Sequence, residues 1–178
     1  ILLKRSAELG VLVEEESSVG KIMIDDSNRG AVVINKNGQQ YFQPAKFIVD
    51  ASGQSALLAR NLNLRQWDEN FQNLAVYGYF TGAKKLPIPD ENNIFIESYE
   101  NGWVWTIPLN GDITSVGAVV DSNKSAAELR KVDSRTFLED QLSLTNRTCD
   151  MLSQAKLQSD AKILKDWSYT TSKMAGDG

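Results

Sequence analysis

Three Asn-Gly pairs limit what this chain can fold into more than any other feature of its sequence. They occupy positions 37–38, 101–102 and 110–111, and each lies between segments that have strand character. Asn-Gly is a favoured pair in tight β-hairpin turns, because the type I′ turn needs positive φ angles at both central residues. We therefore predict antiparallel hairpins at these three places.

The remaining pattern predicts further strands in the first two thirds of the chain and helices mainly after residue 121. The predicted strands are Val11–Val13, Lys21–Asp25, Ala31–Asn35, Gln40–Phe42, Phe47–Val49, Ala75–Thr81, Asn93–Tyr99, Trp103–Leu109 and Ile113–Val120. The predicted helices are Ser55–Leu62, one capped by Ser122 or Asn123 and reaching Lys131, one capped by Asp133 or Ser134, and Asn146–Gln154. The segment Leu157–Tyr169 is predicted to be extended. The sequence therefore predicts an α+β fold with a mostly antiparallel sheet.

Charge and residue usage exclude several classes of function. With 19 Lys and Arg against 23 Asp and Glu, the chain has a formal charge of −4 and lacks the basic surface expected for nucleic-acid binding. No apolar run approaches the roughly 18 residues of a membrane span. The absence of histidine removes Ser-His-Asp triads and histidine zinc sites, and we expect no metal site. The single cysteine, Cys149, has no partner for an internal disulfide, which is typical of a cytoplasmic protein.

The two ends of the chain indicate a piece of a longer protein. The sequence opens on Ile1 without an initiator methionine or a signal-peptide pattern, and it stops at Gly178. We therefore expect part of the parent's chemistry to lie outside these residues.

The first candidate site follows the predicted strand Phe47–Val49. An acidic residue and three small residues come next: Asp50, Ala51, Ser52 and Gly53. Small residues let a ligand approach the backbone closely, and the N-terminus of a helix attracts anions, so this turn suits a nucleotide. The same pattern is also typical of a plain structural turn in which Asp50 caps the following helix.

The second candidate site is the hexapeptide Trp103–Pro108. Because side chains alternate along a strand, Trp103, Trp105 and Ile107 are expected to share one face. Two neighbouring indoles form a large flat apolar surface, which is suited either to packing a core or to lining a pocket for an aromatic ligand. Pro108 cannot donate a ladder hydrogen bond, so we expect it at the end or edge of a strand.

The third candidate site is the turn Ala175–Gly178, which follows an extended stretch. Here Gly176 precedes Asp177, so a carboxylate stands beside a residue without a side chain. Such a carboxylate is suited to accept hydrogen bonds from ribose hydroxyls, although an ordinary turn has the same composition.

Taken in order, the three sites resemble one protein family. Val-Asp-Ala-Ser-Gly at 49–53, Trp-x-Trp-x-Ile-Pro at 103–108 and Ala-Gly-Asp at 175–177 are similar to the flavin-dependent halogenases, within the wider superfamily of FAD-dependent monooxygenases. The hexapeptide agrees with the family pattern at each defined position and is the most specific of the three. The resemblance covers nearly the whole chain.

The resemblance implies a role for each segment. Asp50–Gly53, Gly176 and Asp177 would contact the FAD cofactor. The family's Gly-x-Gly-x-x-Gly loop, which holds the pyrophosphate, is absent from this sequence, and its catalytic lysine belongs to the same missing segment. No lysine here is therefore assigned a catalytic role. The wall beside the flavin and the substrate would consist of Trp103, Trp105, Ile107 and Pro108.

The same resemblance implies a domain arrangement and an activity. Residues 1–63 would form part of the FAD-binding α/β domain, residues 74–121 the antiparallel sheet of the substrate domain, and residues 122–178 helices and the return to the FAD-binding domain. The parent would use FAD reduced by a separate flavin reductase, with O2 and a halide ion, to halogenate an electron-rich or aromatic substrate, whereas this piece alone would be inactive. The alternatives are a related FAD-dependent hydroxylase or reductase, and a noncatalytic β-sheet binding module.

Overall fold

The computed structural model describes residues 1–24, 30–165 and 168–176. The chain divides into two compact units, of which unit 1 comprises Ile1–Gln66 with Thr170–Gly178 and unit 2 comprises Trp67–Tyr169. Antiparallel sheets together with helices make this an α+β fold, as predicted from the sequence.

In its described residues, unit 1 contains a three-stranded antiparallel sheet with the order β1-β2-β3. The elements of the first part of the chain are α1 (Leu2–Glu8), β1 (Ser17–Ile24), β2 (Gly30–Lys36), β3 (Gln39–Ala45), a 3₁₀ turn (Gly53–Ser55), α2 (Leu57–Asn61) and β4 (Arg65–Trp67). The hairpin from β2 to β3 turns at Asn37 and Gly38, whose φ angles are 50° and 76°. Positive φ at both positions is the type I′ geometry that the sequence predicts here.

Unit 2 is built on a larger antiparallel sheet with the strand order β10-β5-β8-β7-β6, and β9 also pairs with β5. Its strands are β5 (Asn73–Thr81), β6 (Phe95–Tyr99), β7 (Gly102–Pro108), β8 (Ile113–Asp121), β9 (Lys156–Leu157) and β10 (Lys162–Lys165). Its helices are α3 (Ser122–Leu129), α4 (Ser134–Ser143) and α5 (Arg147–Met151). The last strand, β11 (Tyr169–Thr171), pairs with β4.

The hydrophobic core of unit 2 lies on one face of this sheet. Val76, Val104 and Val116 come from three adjacent strands and are 0% exposed, and Phe137 and Leu138 of α4 pack with them at 1% and 0% exposure. Full burial of such a side chain stabilises a fold by roughly 1.5–3 kcal/mol.

Carboxylate caps begin α3 and α4. Asp121 and Asp133 each accept hydrogen bonds from the backbone N–H groups two and three residues later, at distances between 2.8 and 3.1 Å. The predicted cap at Asp133 is confirmed. The prediction of Ser122 or Asn123 as the cap of α3 is wrong, because the carboxylate of Asp121 already accepts from the first free N–H groups of that helix.

The three Asn-Gly pairs all lie at antiparallel hairpins, as predicted, but the second and third form different turns from the first. Gly102 belongs to the start of β7, where an added Cβ atom would overlap the carbonyl oxygen of Val119. The third pair lies in a longer loop, which Leu109 closes by donating its N–H to the carbonyl of Ile113 at 2.8 Å. Pro108 ends β7, as the sequence predicts.

The strands predicted at Val11–Val13 and Phe47–Val49 are not strands in the described structure, and the two end residues of the second segment are 83% and 87% exposed. A strand needs a neighbour to satisfy its backbone groups, and no described segment forms a ladder with either one. The helix predicted over Ser55–Leu62 is also shorter. It begins at Leu57, because Ala56 has a φ angle of 41°, outside the right-handed helical region.

Candidate functional site

Alternation along β7 separates a core side from an open side. Val104 and Thr106 are 0% and 2% exposed, whereas Trp103 is 38% exposed and Trp105 and Ile107 are half-buried. The prediction that these last three residues share one face is confirmed. Neither indole belongs to the core cluster of the described residues, and their role as a wall beside a cofactor stays a prediction.

The open side of the sheet is lined by aromatic rings, and we call this surface the aromatic face. The ring centres of Trp103 and Trp105 are 6.0 Å apart, those of Trp105 and Tyr77 are 6.0 Å apart, and those of Tyr77 and Tyr79 are 6.2 Å apart. These separations are typical of favourable aromatic pairs. The four rings therefore form one apolar surface that extends from β7 across β8 to β5.

Strand register explains why rings from β5 and β7 meet across the strand between them. Trp105 and Tyr77 are both paired with Gly117 of β8. A Cβ atom on Gly117 would overlap the indole of Trp105 and lie 2.5 Å from Cβ of Tyr77. The missing side chain therefore provides the space in which the two aromatic residues approach each other.

A hydrogen bond holds the polar edge of the Trp105 indole. Its Nε1–H donates to Oγ of Ser115 at 3.2 Å, and Ser115 lies two residues before Gly117 on the same strand. A buried or half-buried indole N–H usually has such a partner. Trp105 is thus fixed at its edge as well as beneath its ring.

A positive charge lies beside the aromatic face. Lys162 of β10 pairs in register with Tyr77, and its Nζ lies 5.8 Å from the ring centre of Tyr79. This distance is within the range of a cation–π interaction. An apolar surface with the Lys162 cation at one side suits a neutral or anionic planar ligand better than a positively charged ligand.

The carboxylate of Asp50 organises the first candidate site. One of its oxygens accepts from the Ser52 N–H at 3.0 Å, and the other accepts from the Leu58 N–H at 2.7 Å. Burial raises the pKa of Asp50, but the hydrogen bonds from Ser52 and Leu58 outweigh it and hold the pKa below its ordinary value. The capping role of Asp50 is therefore confirmed, and its contact with a cofactor stays a prediction.

The rest of this loop presents backbone to solvent. Ala51, Ser52 and Gly53 are exposed, and no heavy atom beyond the chain neighbours lies within 4 Å of the Cβ position of Gly53. The hydroxyl of Ser52 accepts from the Leu57 N–H at 2.9 Å. A ligand can therefore approach the backbone of this loop without meeting a large side chain.

The third candidate site is only partly within the described residues. Ala175 and Gly176 are exposed, and the Cβ position of Gly176 is open. Asp177 and Gly178 lie outside the described residues, so the role of Asp177 stays a prediction.

Sequence reasoning missed four residues of the aromatic face: Tyr77, Tyr79, Ser115 and Gly117. The order Tyr-Gly-Tyr inside a predicted strand was a sufficient signal for the two tyrosines, by the alternation that placed the tryptophans on one face. Nothing local identifies Ser115 or Gly117, because their contacts depend on β8 lying between β5 and β7.

Residues 1–24, 30–165 and 168–176 contain neither a metal-binding cluster nor a membrane-spanning helix. No three His, Cys, Asp or Glu side chains in these ranges are grouped so that they can share a metal ion. None of the helices in these ranges has both the length and the apolar character needed to cross a membrane.

Known proteins resemble this chain in both sequence and structure. The family model described as tryptophan halogenase matches residues 1–151. A flavin-dependent halogenase of Armillaria mellea is 31% identical over 99% of this chain and 39% of its own length. The flavin-dependent halogenase CmlS aligns with a TM-score of 0.91 and 32% identity, covering 99% of this chain and 32% of that one. The myxobacterial chondrochloren halogenase CndH aligns with a TM-score of 0.89 and 32% identity, covering 99% of this chain and 41% of that one. The chain thus spans between 32% and 41% of the length of these three proteins.

Proposed function

Because this chain belongs to the tryptophan halogenase family, we propose that it is part of an FAD-dependent halogenase that acts on an electron-rich aromatic substrate. The observation that carries the proposal is the complete Trp-x-Trp-x-Ile-Pro segment, whose two indoles stand on an open sheet face and not in the core. Two neighbouring indoles on an open sheet face, one exposed and one half-buried, form an apolar patch for which a role in binding accounts better than a role in folding.

Two parts of the chain fit a flavin cofactor. The aromatic face offers a flat apolar surface of the kind that planar ring systems stack on. The loop Asp50–Gly53 offers exposed backbone at Gly53, where a Cβ position is open. We place Asp50–Gly53, Gly176 and Asp177 at the FAD, and we place Trp103–Pro108 beside the flavin and the substrate.

The proposed reaction replaces an aromatic C–H bond with a carbon–halogen bond. Reduced FAD supplies two electrons to O2, a halide ion and a proton are consumed, and both oxygen atoms leave as water. The residues of this chain bind and orient: the indoles exclude water, and the Asp50 carboxylate holds its loop through the N–H groups of Ser52 and Leu58. A separate flavin reductase would return the FAD to its reduced form.

We also place the parent protein in the cytoplasm. Cys149 is an exposed free thiol, and such thiols persist mainly in reducing compartments. The proposed partners are therefore small molecules and a cytoplasmic reductase.

The test uses the full-length protein that contains this chain, with FAD, a flavin reductase, O2 and either chloride or bromide. Electron-rich indoles and phenols serve as substrates, and mass spectrometry identifies the products. We expect a halogenated product that requires both the halide and reduced flavin. Hydroxylated product in its place would support the FAD-dependent hydroxylase, and a full-length protein that binds no flavin would support the noncatalytic module.

A further inference from the structure

We propose that Gly117 and Ser115 of β8 set the orientation of the Trp105 indole and thereby act as positioning residues of the aromatic face. Their effect on the reaction rests on the proposed function. The orientation itself is a property of the sheet, and it can be measured without any reaction.

The backbone conformation at Gly117 does not itself require glycine. This residue lies inside β8 and does not have a positive φ angle, so its backbone conformation is open to any residue. Glycine inside a strand weakens it and often marks a place where another group approaches closely. The reason for glycine at this position therefore lies in the space above the backbone.

That space is filled from both sides. An added Cβ atom would overlap the ring of Trp105 and lie 2.5 Å from Cβ of Tyr77, which is closer than Cβ atoms in proteins approach other heavy atoms. Cβ of Tyr77 is fixed by its own strand and cannot move aside as the end of a long side chain does. Any larger residue at position 117 must therefore displace the indole of Trp105 and also shift the backbone of β8 or β5.

Ser115 supplies the second constraint. Trp105 pairs in register with Gly117, yet its Nε1–H donates to Ser115 Oγ, two residues away along β8, at 3.2 Å. The indole therefore leans diagonally over the strand, with its ring over one residue and its polar edge at the other. Together these contacts select one side-chain orientation.

Trp103 provides an internal comparison. Its register partner on β8 is Val119, which has a side chain, and no hydrogen bond to its indole is formed within the described part of the chain. Trp103 is 38% exposed, whereas Trp105 is half-buried and is held at two points. Only the second indole of the hexapeptide is therefore positioned by β8 in this way.

The test uses the full-length protein labelled with ¹⁵N-tryptophan, in which each indole N–H gives one NMR peak and Trp105→Phe identifies the peak of interest. We expect Ser115→Ala to speed exchange of the Trp105 indole proton with water by about tenfold, because its acceptor is lost. Ser115→Thr keeps a hydroxyl and should stay within about twofold of wild type. Gly117→Ala should shift the Trp105 peak.

Gly20→Ala is the matched control, since it alters a glycine of β1 whose added Cβ atom would meet only the flexible amide end of Asn35. It should leave the Trp105 peak unchanged. If Gly117→Ala does not fold, Ser115→Ala still decides the matter. An unchanged Trp105 peak and exchange rate in Ser115→Ala would overturn the proposal.

A second measurement separates positioning from simple loss of structure. It is the amount of halogenated product formed per reduced FAD oxidised, normalised to folded protein. We expect Ser115→Ala and Gly117→Ala to lower this product yield by about threefold or more. Ser115→Thr should keep the yield of wild type. A shifted peak with an unchanged product yield would overturn the link to the reaction. A wild-type protein that forms no halogenated product would contradict the proposed function, while the NMR result would still decide the positioning.

Discussion

At Trp105, neighbouring residues on two strands decide what the indole can contact. Ser115 accepts from its N–H, Gly117 leaves room beneath its ring, and Tyr77 lies beside it. On the core side of β7, the neighbouring residue Val104 is 0% exposed. A change at Trp105 therefore alters a surface while leaving the core in place.

Replacing Trp105 by phenylalanine should change the proposed reaction more than it changes stability. The smaller ring leaves the space over Gly117 incompletely filled and cannot donate to Ser115. In the full-length protein we expect a change in halogenation rate or in the product ratio, measured by mass spectrometry. The circular dichroism spectrum should match that of wild type, because the fold is retained.

Trp67→Phe is the matched control, because Trp67 is 47% exposed and lies outside the aromatic face. It should leave rate and products unchanged. The wall assignment would be wrong if Trp105→Phe only lowered stability by the roughly 1–3 kcal/mol of a core change while the folded protein kept normal turnover.

Asp50→Ala should destabilise the loop that enters α2 and also weaken FAD binding. The carboxylate accepts from the N–H groups of Ser52 and Leu58, and the loss of such a cap costs about 0.5–2 kcal/mol. The pKa of Asp50 is below its ordinary value of 3.8. The stabilisation is therefore present above about pH 4 and disappears as the pH falls through the lower folded value.

Thermal unfolding of wild type and Asp50→Ala at pH 7 and at pH 3 checks this dependence. The difference in melting temperature should be larger at pH 7. Asp140→Ala, which removes an exposed carboxylate of α4, is the control and should show no such difference. Equal melting temperatures for wild type and Asp50→Ala at pH 7 would contradict the capping role.

At the scale of elements, polar contacts join β6 to the helices on the core side of the sheet. Glu97 accepts hydrogen bonds from the backbone N–H groups of residues 146–148 and from the Thr148 hydroxyl, at 2.7 to 3.1 Å. Tyr99 donates its hydroxyl to Oε1 of Gln141 at 2.8 Å. The edge strand β6 is therefore anchored to α5 by a side chain that accepts hydrogen bonds, Glu97, and to α4 by one that donates a hydrogen bond, Tyr99.

Glu97→Gln should loosen the contact between β6 and α5. Burial raises the pKa of Glu97, but the hydrogen bonds at Arg147 and Thr148 outweigh it and lower the pKa below its ordinary value of 4.5. Because the carboxylate is partly solvated, we expect a loss of about 1 kcal/mol in the free energy of unfolding at pH 7. The loss should shrink as the pH falls from about 4.5 through the lower pKa of the folded protein, at which the wild-type carboxylate becomes protonated.

Urea unfolding of wild type and Glu97→Gln, at pH 7 and at a pH below about 4.5, measures the difference in the free energy of unfolding. Glu100→Gln, an exposed carboxylate on the same hairpin, is the control and should be neutral. A Glu97→Gln protein as stable as wild type at pH 7 would show that the four hydrogen bonds contribute nothing net.

Several elements could be predicted from the sequence because their causes are local. The Asn37-Gly38 turn and the cap at Asp133 each depend on a few adjacent residues. The predicted strand at Phe47–Val49 failed because strand formation needs a partner, and nothing in three consecutive residues says whether one is present. The predicted extended stretch Leu157–Tyr169 contains the short strands β9 and β10, whose pairing with β5 is a long-range contact.

The candidate site divides in the same way. The shared face of Trp103 and Trp105 follows from alternation within one strand. The contribution of Ser115 and Gly117 does not, because it appears only when β8 is inserted between β7 and β5. Local patterns therefore identified the chemical character of the site, and register determined its geometry.

At the scale of the whole molecule, the two units differ in how much apolar surface they bury. The core cluster of the described residues lies within unit 2. In unit 1 the buried apolar side chains of the described residues are Ile22, Ala56 and Ala59. Unit 1 therefore has little packing of its own, and we assign it a smaller share of the stability of this chain.

The 178-residue chain by itself should bind FAD poorly. Its sequence lacks the Gly-x-Gly-x-x-Gly segment that holds the pyrophosphate in dinucleotide-binding folds. In a fluorescence titration we expect little change in flavin emission, with the full-length protein as the positive control. Binding at about 1 µM or tighter, equivalent to about −8 kcal/mol, would contradict this expectation.

The two-sided sheet of unit 2 also has an evolutionary consequence. On β5, β7 and β8 the core depends on even-numbered positions such as Val76, Val104 and Val116, whereas the aromatic face uses odd-numbered positions such as Tyr77 and Trp105. A mutation at a ring position such as Tyr77 or Trp105 removes no side chain of the core cluster, although Ala75 and Val119 on the same face are buried. Under the proposed function, natural selection and directed evolution can therefore vary the ring positions, and with them ligand preference, while the core cluster stays unchanged.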